Sequence, residues 1–339
     1  MKKKIFVTGG LGYIGSALAK EAVRRGYDVK LYDSLLYEQG AREIMKEILA
    51  GKPRGKAELV IGDTRNMPLL EKSVREFAPD YIMHIGELSS VYACDHNPLQ
   101  AEEINYRASK EVIDLAEKLS IPTLYNSSSS VYGNQKINKL LKETDPLPSP
   151  TDHYVKNKIR MEKYIRGKKA KNKKFQIAVF RPATVCGLSP RMRIDLLPNH
   201  FTYCAVSKGV IKVADPQSYR AAIDMENLVD GYLAVMEKGS WKKLIYNIGH
   251  CNLSKEQFAE AIRQIVPCKM EIINNFGDKR NLQIDSSLLY NEFGWKPKKT
   301  YEQTVKELAK WTKSNLTKIQ KNNFAGLLNM SLEHWNKIT

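Results

Sequence analysis

The sequence lacks the marks of several classes of protein. In its 339 residues no apolar run reaches the roughly 18 that a membrane span needs. The basic start, residues 1–4, is followed by only three apolar residues, Ile5, Phe6 and Val7, before a glycine cluster, so we expect no signal peptide. The five cysteines are scattered and contain no Cys-x-x-Cys pair, which argues against a disulfide framework and against a zinc site. We therefore expect a cytoplasmic protein with no metal site and no membrane partner.

Acidic residues are in deficit: 54 Lys and Arg against 37 Asp and Glu give a formal net charge of +17. Such an excess can mark a nucleic-acid surface, an anionic substrate or a solvated lysine-rich surface. The densest basic run, residues 168–174, contains no aromatic side chain on which a base could stack. We therefore expect an exposed basic loop there rather than a nucleic-acid site.

Hydrophobic patterning in the first half alternates short apolar runs with amphipathic stretches, which is typical of a parallel sheet wound by helices. Right-handed crossovers then predict a Rossmann-type, doubly wound α/β sheet, with the ligand crevice at the carboxyl ends of its strands. The predicted strands are 4–8, 28–32, 58–61, 81–85, 123–127 and 176–181. The predicted helices are 17–25, 41–49, 69–77, 104–119 and 154–167.

The pattern changes after residue 181 to longer irregular segments. Capping boxes at residues 254–257 and 300–303 predict two helices there. A chain of 339 residues also favours two domains. We predict an NAD-binding Rossmann domain over 1–181 and a smaller, mixed α/β substrate-binding region over 182–339, part of which returns to the sheet.

A glycine-rich turn, residues 8–15, follows the first predicted strand and contains Gly9, Gly12 and Gly15. Glycines at this spacing let the backbone approach a pyrophosphate at the N-terminus of the following helix. Asp33 ends the second strand, where its carboxylate can accept hydrogen bonds from a ribose and would repel a 2′-phosphate, which favours NAD over NADP. The alternative is a plain glycine turn with a surface aspartate.

Tyr154 and Lys158 lie four positions apart and share a face of a predicted helix. A nearby ammonium lowers the pKa of a phenol, so Tyr154 could act as a general base. Spacing of this kind also arises by chance on solvated helices. The serine run 127–130 at the end of the fifth strand favours the catalytic interpretation, because a hydroxyl there could bind the substrate oxygen that Tyr154 deprotonates.

Taken together, the glycine turn, Asp33, the serine run before Val131-Tyr132-Gly133 and the Tyr154-x-x-x-Lys158 motif resemble the extended short-chain dehydrogenase/reductases. Within that group the chain is most similar to the NAD-dependent nucleotide-sugar epimerase/dehydratase family, over roughly residues 3–312. The resemblance implies NAD as cofactor and a nucleoside-diphosphate sugar as substrate. It also implies a homodimer built on the helices 104–119 and 154–167.

The resemblance implies roles for individual residues. Tyr154 would be the base, Lys158 would tune it and hold the nicotinamide ribose, and Ser128 would be the catalytic hydroxyl. Implied cofactor contacts are Gly9, Gly12, Tyr13, Ile14, Gly15, Asp33 for the adenosine ribose, Asp63 for the adenine, Asn105, Tyr154 and Lys158. Implied substrate contacts are Ser128, with Asn199, Arg220 and Arg280 on the diphosphate. For these last three a surface arginine or a turn asparagine is the alternative.

Five positions depart from the family pattern or leave alternatives open. Ser129 and Ser130 stand where the dehydratases carry Asp-Glu, which favours a 4-epimerase over a dehydratase or a 4-oxidase. We expect Glu87 to turn towards solvent, because a buried carboxylate is costly without a partner; facing the sugar, it could be an extra acid or base. Cys186 and His84 are expected to pack. A non-catalytic NAD-binding or nucleic-acid-interacting protein is the alternative from another class.

Overall fold

The computed structural model describes residues 3–36, 40–136, 139–273 and 280–321. The strands are β1 Lys4–Thr8, β2 Asp28–Asp33, β3 Ala57–Ile61, β4 Tyr81–His84, β5 Thr123–Asn126, β6 Leu140–Leu141, β7 Ile177–Pro182, β8 Thr184–Cys186, β9 Val210–Ala214, β10 Tyr219–Asp224, β11 Ile245–Ile248, β12 Cys251–Ser254, β13 Lys269–Ile273 and β14 Gln283–Ile284.

The predicted helices 41–49 and 69–77 begin within two residues of the observed ones, whereas the first helix begins one turn earlier than predicted, at Tyr13. The helices are α1 Tyr13–Arg25, α2 Ala41–Ile48, α3 Met67–Phe77, α4 Val91–His96, α5 Pro98–Glu102, α6 Ser109–Lys118, α7 His153–Lys171, α8 Leu197–Lys208, α9 Met225–Lys238, α10 Lys255–Arg263, α11 Ser287–Phe293 and α12 Tyr301–Lys321. A π-helical segment, Glu103–Ala108, leads into α6, and a 3₁₀ turn spans Ser129–Tyr132.

Within the described residues the main sheet has seven strands in the order β11-β7-β5-β4-β1-β2-β3. All its pairings are parallel. The order reverses between β1 and β4, and this switch point is where ligands of doubly wound sheets bind. Apolar side chains cover both faces of the sheet, as its near-continuous hydrophobic strands require. The predicted Rossmann-type fold is confirmed.

The C-terminal region is mixed α/β, as predicted. It contributes a three-stranded sheet, β12-β10-β8, and a two-stranded pairing of β13 with β9. Strand β11 returns to the main sheet beside β7. Both capping boxes form: Ser254 and Gln257 bond reciprocally before α10, and Thr300 and Gln303 do so before α12. The domain boundary at residue 181 stays a prediction.

Only the end of the basic run, residues 172–174, forms the loop that we expected. Helix α7 continues through Lys168 and ends at Lys171, four residues beyond the predicted end. Lys168 pairs with Asp114 at 2.8 Å and with Glu117 at 2.5 Å, both on α6. The ammonium of Lys169 donates to the carbonyls of Lys173 and Phe175. Part of the positive charge is therefore used to fix the end of α7.

From the sequence we expect neither a membrane span nor a metal site in the described residues. No helix there combines the length and the apolar character of a membrane span. No group of three or more His, Cys, Asp and Glu side chains in that part of the chain is arranged to hold a metal ion.

Candidate active site

A cavity of about 1260 Å³ runs along the carboxyl ends of the parallel strands. One end is lined by the glycine turn after β1 and by Asp33 at the end of β2. The middle is lined by the segments that follow β4 and β5, and by Tyr154 and Lys158 of α7. The other end reaches the C-terminal region at Arg220 and Arg280. The fold thus brings most of the predicted site residues to one cavity.

The glycine turn packs so closely against neighbouring backbone that Gly9 and Gly15 have no room for a side chain. Gly9 has a left-handed φ of +67°, and a Cβ there would lie 2.7 Å from the Cα of Gly86. A Cβ on Gly15 would lie 2.2 Å from the carbonyl oxygen of Gly9. Gly12 is the N-cap of α1 and supplies no capping side chain, so the helix N-terminus is available to a pyrophosphate. This cradle fits a dinucleotide cofactor.

Asp33 ends β2 and lines the cavity beside the glycine turn. One carboxylate oxygen accepts from the Leu11 backbone N–H at 2.9 Å, and the other from Leu35 at 2.8 Å. Burial raises the pKa of this carboxyl above its usual value. Asp63 also lines the cavity, where Arg65 pairs with it at 2.8 Å and lowers its pKa. Both carboxylates lie beside the adenosine end predicted from the sequence.

Tyr13 and Ile14, predicted to contact the cofactor, line the cavity, whereas Asn199, predicted to contact the substrate, is not among its lining residues. The phenol of Tyr13 points to the C-terminal region and donates to the carbonyl of Gly187 at 2.7 Å. Asn199 is buried, and its amide donates to Tyr13 and to the Arg193 carbonyl and accepts from the Gly187 N–H. Since these protein groups use the amide, Asn199 ties the two regions together, and its predicted grip on a diphosphate has no support in this geometry.

Tyr154, Ser128 and Lys158 converge at the middle of the cavity. Asp152 caps α7 by accepting from the Val155 N–H at 2.8 Å, which places Tyr154 in the first turn. Burial raises the pKa of the Tyr154 phenol, while the Lys158 ammonium and a hydrogen bond from Ser128 lower it. The net pKa is raised, so the ammonium moderates the cost of burial rather than overcoming it. Ser128 itself accepts from the Ser130 N–H at 3.1 Å.

Ser127 and Ser128 are neighbours in sequence but face different surroundings. The Ser127 hydroxyl is buried and donates to Glu162 at 2.6 Å. Glu162 forms a fully buried ion pair with Arg181, and its Oε2 lies 2.5 Å from Nη2 of the arginine. Ser128 is the one whose hydroxyl reaches Tyr154. The alternation of side chains at the end of an extended strand separates the two roles.

The expectation that Glu87 turns towards solvent is wrong. Its side chain is 2% exposed, and its Oε2 lies 2.6 Å from the ammonium of Lys158. Its Oε1 accepts from the Ser109 hydroxyl at 3.1 Å. The partner that a buried carboxylate requires is therefore Lys158, a residue distant in sequence that α7 brings to the end of β4.

His84, Asn105 and Cys186 have structural partners. His84 bonds to Thr8 at 2.7 Å and Ser109 at 2.9 Å, and burial lowers its pKa to about 3. Cys186 is buried in an apolar cluster, as expected. Asn105 is fully buried; it accepts from the Leu88 N–H and donates to the Leu88 carbonyl, both at 2.8 Å. It thus holds a cavity-lining residue.

The far end of the cavity carries several cationic side chains. Arg220 and Arg280 line it, and their contact with a diphosphate stays a prediction. Lys212 and Lys255 also line it and were missed, because single lysines on β9 and at the start of α10 carry no motif. Arg193 forms a two-point pair with Asp195, at 2.9 and 2.6 Å. An anionic group of the size of a diphosphate would be favoured here.

Comparisons with known proteins agree with this geometry. The model of the NAD dependent epimerase/dehydratase family matches residues 5–249. The chain belongs to this family. The prediction made from the sequence motifs is confirmed, and with it NAD as the cofactor of the family.

Relatives of this epimerase/dehydratase chain align with nearly its whole length. The UDP-glucose 4-epimerase of Lactobacillus helveticus is 26% identical over 338 residues, with 92% of this chain and 98% of the relative covered. UDP-arabinose 4-epimerase 1 of Arabidopsis thaliana is 25% identical over 335 residues, with 91% and 79% covered. The crystal structure of UDP-glucose 4-epimerase from Bifidobacterium longum in complex with NAD+ and UDP superposes with a TM-score of 0.79, at 22% identity, over 93% and 99% of the two chains. That structure shares the fold.

Proposed function

We propose that this chain is an NAD-dependent nucleotide-sugar 4-epimerase. The observation that carries the proposal is the meeting of Tyr154, Ser128 and Lys158 in a cavity that begins at a dinucleotide-shaped glycine turn. The relatives named above act, by their names, on UDP-glucose and UDP-arabinose at carbon 4, which supports this position of attack. A protein that only binds NAD or nucleic acid would have no need of a phenol, a hydroxyl and an ammonium placed together.

The residues of this chain divide the work of binding and proton transfer. The glycine turn and Asp33 would hold the cofactor, with Lys158 at the nicotinamide ribose. When bound, NAD would supply reversible hydride transfer at carbon 4 of the sugar. Tyr154, as phenolate, accepts the proton of the 4-hydroxyl as the carbon is oxidised, and Ser128 donates a hydrogen bond to the same oxygen. When the ketone is reduced again, Tyr154 gives the proton back, so the protein ends unchanged.

The nucleotide end of the substrate would lie among the cationic side chains of the C-terminal region. Arg220 and Arg280 have the fork geometry that grips phosphate oxygens. Binding energy from the diphosphate, which is remote from carbon 4, can hold the molecule while the keto sugar turns its other face to the cofactor. The net charge of +17 would favour the approach of an anionic substrate.

The outcome of oxidation is tested by the mass of the product. An epimerase leaves the mass unchanged, a dehydratase removes water, and a 4-oxidase removes two hydrogens. We expect no change in mass with UDP-glucose or UDP-arabinose, and a new 4-epimer by NMR. Ser129 and Ser130 follow Ser128 where a dehydratase needs a carboxyl acid, which supports this expectation. Loss of water from both substrates, or no transient absorbance of reduced nicotinamide, would reject the proposal.

Homodimerisation and a cytoplasmic location remain proposals. Helices α6 and α7 pack side by side through the pairs of Lys168 with Asp114 and Glu117, and Arg160 stacks on Tyr106 of the π-helical segment with 3.7 Å between the guanidinium carbon and the ring centroid. A second copy would add its own pair of helices to this face. A monomeric mass by light scattering at micromolar concentration would contradict the dimer. All five cysteines are free, which supports a reducing compartment.

A further inference from the structure

Glu87 is a buried acid in the middle of the cavity, beside Tyr154 and Lys158, and the family pattern does not place a carboxylate there. It lines the cavity between the end of β4 and the start of α4. Its nearest charged partner is the ammonium of Lys158, at 2.6 Å. In the proposed mechanism that ammonium acts on Tyr154 and on the cofactor, so an acid bound to it changes the electrostatics of the whole site.

The backbone on both sides of Glu87 is held in place. The N–H groups of Ile85 and Gly86 donate to the Thr8 hydroxyl at 3.2 and 3.1 Å. On the other side Asn105 binds both the N–H and the carbonyl of Leu88. A residue clamped before and after in this way presents its side chain in one direction. The carboxylate is therefore built into the site and is not a chance orientation of a mobile loop.

A chain of hydrogen bonds also orients the Glu87 carboxylate. Thr8 lies 2.7 Å from Nδ1 of His84, and Ser109 lies 2.9 Å from Nε2. Neutral His84 with its proton on Nε2 accepts from Thr8 and donates to Ser109, which leaves the Ser109 hydroxyl to donate to Glu87 at 3.1 Å or to the Ile104 carbonyl at 3.0 Å. His84 thus has a function beyond packing, because it fixes the serine that binds the acid.

The contacts of Lys158 show what the acid does. An ammonium has three N–H donors. One is directed to the Asn126 carbonyl at the end of β5. The ammonium also forms an ion pair with Oε2 of Glu87 at 2.6 Å, although this oxygen accepts no hydrogen bond from the described residues. It lies over the ring of Tyr125, 4.9 Å from its centroid, and 5.8 Å from that of Tyr154. The Glu87 carboxylate and the Asn126 carbonyl thus hold the ammonium beside Tyr154.

We propose that Glu87 is a positioning residue, whose carboxylate fixes the Lys158 ammonium against the Asn126 carbonyl and sets how strongly that ammonium acts on Tyr154. This proposal rests on the proposed function, in which Tyr154 is the base. It makes Glu87 a counter-ion of the catalytic pair rather than an acid or base acting on the sugar. The side chain is directed to Lys158, and no bond to the substrate is required of it.

The sign of the effect follows from the charges around Tyr154. Glu87 raises the pKa of the phenol, in opposition to Lys158. It also raises the pKa of Lys158 against the effect of burial. Tyr154 and Lys158 titrate as a coupled pair, so removing the carboxylate weakens the hold of the pair on its protons. The polar and titratable groups that face this pair from the surrounding elements are Glu87, His84, Cys94, Tyr125, Ser128 and Tyr232.

The experiment is the pH dependence of kcat/KM for the holoenzyme and for Glu87→Gln and Glu87→Asp. The base must be deprotonated, so kcat/KM rises with pH through the pKa of the phenol. In Glu87→Gln we expect this acidic limb to move to lower pH by about one unit, the scale of effect that a neighbouring charge produces. Glu87→Asp, which keeps the charge but draws it back, should move the limb in the same direction by less. Glu71→Gln removes a surface carboxylate paired with Arg75 on α3 and serves as the matched control.

A second measurement separates this proposal from the proposed function. Titration of the tyrosinate absorption band, taken as the difference between each variant and the same variant with Tyr154→Phe, follows the phenol without any substrate. In Glu87→Gln we expect the Tyr154 tyrosinate to form at lower pH than in the parent protein. If the glutamine variant does not fold, Glu87→Asp should show a smaller shift in the same direction. An unmoved or upward shift in every folded variant would overturn the role of Glu87. A fall in kcat at all pH values without a shift would overturn it too, because it identifies Glu87 as an acid or base. Absence of turnover with a normal tyrosinate shift rejects only the 4-epimerase.

Discussion

One face of helix α7 passes from the active site into the core, and it carries a buried ion pair in each of these two places. Tyr154, Lys158 and Glu162 follow each other at intervals of four residues and therefore share this face. At the cavity end Lys158 pairs with Glu87 beside the reacting phenol. At the core end Glu162 pairs with Arg181 of β7. Both pairs join a buried glutamate to a buried cation, and they differ in the cation and in the number of hydrogen bonds around it.

The core pair has a closed set of hydrogen bonds. Arg181 donates to both oxygens of Glu162, at 2.9 and 2.5 Å, and to the phenol of Tyr132 at 2.8 Å. Ser127 completes the carboxylate. The cavity pair is not complete in this way, because Oε2 of Glu87 approaches Lys158 at 2.6 Å but accepts no hydrogen bond from the described residues. A satisfied buried network rigidifies a fold, whereas an incomplete one at a cavity can act on a ligand.

The largest effect is expected from Tyr154→Phe. Removal of the phenol oxygen takes away the base and should lower kcat by roughly 10²–10⁴-fold. Binding of NAD, measured by equilibrium dialysis, and the melting temperature should be close to those of the parent protein. A variant that retains full turnover would show that the cavity end of α7 carries no base.

At the core end, Glu162→Gln should act on stability instead. Breaking a buried pair leaves Arg181 without its counter-charge, so the free energy of unfolding should fall by about 3–5 kcal/mol in a denaturant titration. The acidic limb of kcat/KM should not move in the folded fraction. Replacing both partners with apolar residues, Glu162→Leu with Arg181→Met, should recover part of the loss. A pH shift as large as that of Glu87→Gln would erase the distinction between the two pairs.

Ser128→Ala should change the site in the direction opposite to Glu87→Gln. The Ser128 hydrogen bond lowers the pKa of Tyr154, so its loss raises that pKa and moves the acidic limb to higher pH. A hydrogen bond to a charged group has a strength of about 1.5–3 kcal/mol, which corresponds to an upward shift of about one to two pH units. The pH profile of kcat/KM is the measurement. A downward shift would mean that another group supplies the hydroxyl.

The smallest effect is expected from Ser127→Ala, the matched neighbour. Its hydroxyl serves Glu162, so the variant should lose about 1–2 kcal/mol in unfolding free energy and keep the parent pH profile. Chemical denaturation and the pH profile of the same preparation test both halves of this statement. If Ser127→Ala moved the acidic limb and Ser128→Ala did not, the two serines would have to exchange roles.

Much of the candidate site could be predicted from local sequence. The glycine turn, Asp33 and the Tyr154–Lys158 spacing lie on elements whose apolar periodicity is unambiguous, and parallel strands carry them to one edge. The extent of α7 was underestimated, because its last residues are lysines that become ordered by partners on α6. The π-helical segment Glu103–Ala108 has no sequence signal that we could use.

Residues whose role depends on a distant partner were the ones missed. Asn199 was assigned to the substrate from its place in a motif, but its amide is used by Tyr13, Gly187 and Arg193. Glu87 was expected in solvent because its neighbours in sequence offer no cation. In both cases the deciding contact joins segments far apart in the chain, which a local pattern does not contain.

The sequence by itself determined the alternating strands and helices of the first 181 residues, the dinucleotide-binding turn and the presence of a tyrosine and a lysine on one helix face, because these follow from short-range sterics and apolar spacing. Only the tertiary structure decided that Asn105 and Asn199 hold the framework and that Glu87 is bound to Lys158. Burial makes a charge costly, so the fold must supply its partner, and the choice among all the cations of the chain is made only when the elements pack.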